Sequence, residues 1–76
     1  MKTILEILHD IRPEYDFAGA SDFIKNGMLD SFDLVTLVSA LEEEFSIKID
    51  GLDIVPENFE SIAAIERLIA NSGGKA

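Results

Sequence analysis

The sequence predicts an all-α fold, a small four-helix bundle of three main helices and one short helix with a long first loop. Three observations predict it. Apolar residues recur at helical spacing in three separate stretches of the 76-residue chain. Each stretch is bracketed by residues that suit helix ends. The only alternating segment, Ile47 and Ile49 around Lys48, is too short to build a sheet. The length fits a single domain over residues 1–76, ordered over about 3–70, with 71–76 as a mobile tail. Its core is modest, since chains of this size gain only about 3–5 kcal/mol net from burial.

The first helix carries Ile4, Leu5, Ile7, Leu8 and Ile11, with Lys2, Glu6, His9 and Asp10 between them. Thr3 is its candidate cap, and Pro13 forces an end near Arg12. Residues 13–30 show no sustained period. Gly19, Ser21, Asp22, Asn26 and Gly27 mark a long loop, with Phe23 and Ile24 as expected anchors to the core. A loop this long in so small a domain is uncommon and often functional.

The second helix is the clearest element. Leu34, Val38, Leu41 and Phe45 follow the i, i+4, i+7, i+11 pattern, and Val35 and Leu37 widen the stripe. Asp30 and Ser31 both suit its start, and Asp33 adds negative charge to its first turn. Glu42, Glu43 and Glu44 crowd its last full turn, where the helix dipole is already negative. A local rule broken without visible structural gain directs attention to function. Beyond it, Gly51 marks a turn, and Pro56 opens the short helix at its first position with Phe59 as the apolar contact. Ser61 caps a last helix with Ile62, Ile65, Leu68 and Ile69, and residues 71–74 end it.

Charge narrows the function classes. Six basic and fifteen acidic side chains give −9 at pH 7. Residues 30–60 hold nine acids against Lys48 alone, a net of −8. Nucleic acid and anionic membranes both require basic patches, so neither is an expected partner. A single-sign field steers cationic partners, and it disfavours close self-association, so a monomer is expected. No apolar run approaches the length of a membrane span, and Glu6, His9 and Asp10 interrupt the apolar start, so membrane insertion is not expected and the expected location is the cytoplasm. The chain has no cysteine, which excludes a disulfide framework, a thiolate zinc site and a cysteine nucleophile. His9 has no serine or acid placed to complete a triad, and Asp50 and Asp53 around Gly51 do not make a calcium loop. No phosphate-cradling glycine motif occurs. Nothing supports an active site or a metal site, and the chain is not expected to be an enzyme.

One constellation stands out. In residues 27–33, Gly-Met-Leu-Asp-Ser-Phe-Asp, a serine sits where the long loop meets the strongest helix. The first amides of a helix point outward, and the dipole favours an attached phosphate there. Residues 27–49, GMLDSFDLVTLVSALEEEFSIKI, closely resemble the acyl carrier protein family, in the D-S dipeptide, the apolar stripe, the E-E-E-F helix end and the following I-x-I. The first helix, the long loop and the closing helix also fall where that family has them, so the resemblance spans about residues 3–70.

The resemblance implies that Ser31 receives 4′-phosphopantetheine from coenzyme A through a phosphopantetheinyl transferase. The thiol of that arm would hold an acyl or aminoacyl group as a thioester and present it to partner enzymes. Asp30 and Phe32 would flank the attachment point, and Asp33, Glu42, Glu43 and Glu44 would meet basic docking patches. Those patches would belong to an acyl- or aminoacyl-loading ligase and to downstream transferases or synthases. The context would be lipid or secondary-metabolite biosynthesis. Phe32 stands where fatty-acid carriers usually have leucine, and Thr36 where they usually have an acid. The connection between Phe45 and Ser61 is about two residues longer than theirs. These departures look more like D-alanyl carriers or stand-alone carriers of biosynthetic clusters. Phe23, Val35, Leu41, Phe59 and Ile62 are the candidates to line a cargo gap between the second and short helices. Large aromatics there favour small or polar cargo held on the arm. The alternative from another class is an unmodified acidic helical adaptor.

Overall fold

The computed structural model describes residues 2–73. Its order is α1 (Ile4–Ile11), α2 (Ser31–Phe45), two 3-10 turns (Gly51–Asp53 and Pro56–Asn58) and α3 (Ile62–Asn71). The described residues contain no strand. The short fourth helix is therefore the 3-10 turn opened by Pro56, and a second such turn stands where Gly51 alone marked a bend.

Each helix begins on its own chemistry. Thr3 caps α1 through a reciprocal pair: its hydroxyl accepts from the Glu6 amide at 3.2 Å, and Glu6 accepts from the Thr3 amide at 3.0 Å. Arg12 is the C-cap of α1, and Pro13 follows. Asp30, rather than Ser31, caps α2. Ser61 caps α3, its hydroxyl accepting from the Ala64 amide at 3.1 Å. Substituting a cap of this type costs about 0.5–2 kcal/mol. Asn71, expected in the tail, is the last residue of α3, and Ser72 and Gly73 turn the chain after it. The rest of the expected tail, residues 74–76, lies outside the described residues.

The stripes meet in one core. Leu8, Leu37, Leu41, Ile65 and Ile69 supply aliphatic bulk from all three helices, and Ile47 and Ile49 turn one side of the stretch after α2 into the core while Lys48 between them is exposed. The long loop contributes more than its two expected anchors. Phe17, Met28 and Leu29 are buried with Phe23, whereas Ile24 is half-buried. Phe17 meets Phe23 edge-on, with ring centres 5.0 Å apart. Fully burying each such ring contributes about 1.5–3 kcal/mol. Backbone bonds then lock the loop. The Phe23 amide donates to the Glu60 carbonyl at 3.0 Å, and the Phe23 carbonyl accepts from Met28 and Leu29 at 2.8 and 3.2 Å. Gly27 takes the left-handed conformation (φ 74°) that this turn requires. The result brings residue 30 to the core surface in an extended conformation, ready to start α2.

Candidate functional site

The candidate site is the first turn of α2. Asp30 has extended backbone angles, and its Oδ1 accepts from the Asp33 amide at 2.9 Å. Asp33 returns the bond, its Oδ2 accepting from the Asp30 amide at 3.1 Å. This reciprocal pair takes the capping role and leaves the Ser31 hydroxyl out of it. Ser31 occupies the first helical position and is exposed.

A cation completes the turn. Arg12 donates from Nε to Asp33 Oδ2 at 2.8 Å and from Nη2 to Asp30 Oδ2 at 3.3 Å. Its Nη1 also reaches Glu14 Oε2 at 3.5 Å. Hydrogen bonding to the Asp33 amide, helped by the Arg12 charge, holds the Asp30 carboxyl below its ordinary range. The Asp33 carboxylate and charge raise the Arg12 guanidinium above its own ordinary value. Sequence reasoning read Arg12 only as the end of the first helix. Its one available signal was isolation, since no other lysine or arginine lies between Lys2 and Lys25.

The expected partner-facing acids do not share one environment. Asp33 is buried, with only 12% of its side chain exposed, because the capping pair and Arg12 turn it inward. Glu42 is half-buried, and its Oε2 accepts from the Ile49 amide at 2.9 Å. Glu44, also half-buried, accepts from the Lys2 amide. Acid at this helix end therefore has a structural use that spacing alone did not reveal. Glu43 stands exposed. So does Asp30, despite its bonds.

Apolar side chains flank the serine on the outside. Phe32 is 85% exposed and Val35 66%, and their spacing of three places them on one helix face. Of the residues expected to line a cargo gap, Phe23, Leu41 and Phe59 are fully buried in the core and Ile62 packs at its edge. Val35 departs from that expectation, since it faces solvent on α2.

The site can present one unencumbered hydroxyl at a helix start whose dipole suits a phosphate ester. No described helix is long and apolar enough to cross a membrane. Among the described residues, no group of three or more His, Asp or Glu side chains could hold a metal ion.

Known proteins bear on this geometry. The family model for the phosphopantetheine attachment site matches residues 2–69. Aminoacyl carrier protein 2 of Bradyrhizobium diazoefficiens is 41% identical over 46 residues, covering 60% of this chain and 52% of its own. Aminoacyl carrier protein 1 of the same organism is 42% identical over 41 residues, covering 54% and 46%. The chain thus aligns with about half the length of these curated relatives. No solved structure matches. Members of the matched family carry covalently attached 4′-phosphopantetheine. With the match running from before α1 almost to the end of α3, this chain belongs to the phosphopantetheine-binding family of acyl carrier proteins.

Proposed function

We propose that Ser31 is the attachment residue and that residues 1–76 act as one carrier domain for an aminoacyl or small acyl group. The observation that carries this reading is the exposed Ser31 hydroxyl, left free of capping at the first position of a 15-residue helix. The residues fit the group. A phosphodiester at that position lies at the positive end of the helix dipole, and Arg12 offsets the carboxylates on either side. The bound arm supplies a thiol that holds cargo as a thioester, which this cysteine-free chain does not supply itself.

The chain's own residues orient and recognise. Asp30 and Asp33 fix the turn that projects Ser31. Phe32 and Val35 offer an apolar contact beside it, and the exposed Glu43 faces basic patches on a transferase, a loading ligase and downstream enzymes. Cargo stays on the arm. Full burial of Phe23, Leu41 and Phe59 supports this, as does the aminoacyl designation of both relatives.

Incubation with coenzyme A and a broad-specificity phosphopantetheinyl transferase, followed by intact mass measurement, tests the reading. The wild type is expected to gain one pantetheine-sized mass and Ser31→Ala none. An unchanged wild type leaves the acidic adaptor as the better reading. Cargo placement has its own test in chemical shifts of holo and octanoyl forms. Small changes at Phe59 and Ile62 are expected, and large ones contradict cargo held outside.

A further inference from the structure

Among the described residues no side-chain bond fixes Ser31 itself, so its direction is set by the turn that bears it. That turn is held from outside the helix. Asp30 and Asp33 close on each other's amides, and one guanidinium, at the C-cap of α1, reaches both carboxylates. Arg12 therefore joins the end of α1 to the turn that presents the serine, across 18 and 21 residues of sequence. It is also the only cation in contact with those two carboxylates among the described residues. Without it, an incoming phosphate would meet two uncompensated negative charges next to the attacking hydroxyl.

We propose that Arg12 is a positioning residue for the loading of Ser31. In that step the serine oxygen attacks the pantetheine-side phosphorus of coenzyme A, the pyrophosphate P–O bond breaks, adenosine 3′,5′-bisphosphate leaves and the hydroxyl proton passes to the transferase. The forked guanidinium of Arg12 holds the turn in one geometry and offsets the charge on both sides of the hydroxyl. The inference rests on Ser31 being the attachment residue. Lysine at this position keeps the charge but not the fork, because an ammonium cannot match two carboxylates with a rigid planar donor set. Glu14 contributes only a long, exposed contact, so its removal serves as the control.

The test is steady-state loading of wild type, Arg12→Lys, Arg12→Gln and Glu14→Gln by a broad-specificity transferase, with amide hydrogen exchange on the same unloaded proteins. In Arg12→Gln, kcat is expected to fall roughly tenfold while KM for the carrier stays within about twofold, the pattern of a misaligned nucleophile. The Asp33 and Leu34 amides are expected to exchange faster, with the α3 amides unchanged. Arg12→Lys should fall between wild type and Arg12→Gln, and Glu14→Gln should match wild type. A kcat for Arg12→Gln within twofold of wild type overturns the inference. So does a lowered kcat accompanied by faster exchange throughout α3, which marks general loosening. A wild type that takes up no group overturns the attachment reading beneath it, whereas a loaded wild type with an unaffected Arg12→Gln overturns this inference alone.

Discussion

At the N-terminal end of α2, Asp30 and Asp33 bond to each other's amides and share Arg12. At the C-terminal end, Glu42 and Glu44 bond to amides of Ile49 and Lys2, and Glu43 remains exposed. The two ends carry the same sign of charge against opposite ends of the helix dipole. At the start, dipole and acid agree, so the carboxylates can tighten the turn and leave the side chain at the first position free. At the end they conflict, and two of the three carboxylates reach backbone donors from distant segments. What distinguishes a candidate contact residue at either end is therefore the absence of an internal side-chain bond among the described residues, which describes Ser31 and Glu43 but not Asp33 or Glu42.

Asp33→Ala strikes this contrast hardest. It removes the acceptor for the Asp30 amide and the closest partner of Arg12, and should destabilise by about 1–3 kcal/mol. For a domain of this size that lowers the melting temperature by roughly 5–15 °C in a thermal scan. An unchanged Tm would mean that the turn is held by something other than this pair. Glu42→Ala follows. Stranding the half-buried Ile49 amide should cost about 1–2 kcal/mol, and Glu42→Gln, which keeps an acceptor, clearly less. Equal losses in a urea titration would show that charge, not hydrogen bonding, matters there.

Acid should erase the advantage of the N-terminal end. The folded-state pKa of Asp30 is lowered, as is that of Glu6, bonded to the Thr3 amide and hydroxyl. A lowered folded pKa contributes stability that is complete above the unfolded value, near about 4, and is lost as pH falls through the folded one. The Tm difference between wild type and Asp30→Ala should therefore narrow from about pH 5 downward. A difference independent of pH would contradict the charged cap. The smallest effect on stability belongs to Glu43→Lys. It relieves repulsion at the helix end and should stabilise by about 0.3–1 kcal/mol, while slowing loading by a transferase with a basic patch. Unchanged loading would remove Glu43 from the docking face.

Much of this architecture is legible in the chain. Helical periodicity marks α1, α2 and α3, and Thr3, Ser61 and Pro56 act where their chemistry places them. Periodicity is silent in the long loop. Phe17, Met28 and Leu29 are buried there without any repeat to reveal a face, and only the folded loop shows that they belong to the core. The choice between Asp30 and Ser31 as cap was open to local propensity. It was decided by Asp33, whose carboxylate returns the bond three residues on. Glu42 and Glu44 looked misplaced because their partners are backbone amides 7 and 42 residues away, which no charge pattern displays. Arg12 was hidden for a related reason, since its partners lie across the aperiodic loop.

The central claim is that Ser31 is left free by its turn in order to be modified. Peptide-resolved mass spectrometry of the wild type after transferase treatment tests it most directly. The account predicts one phosphopantetheine group, localised to Ser31. The same group on Ser39 or another hydroxyl, or no group at all, would contradict it.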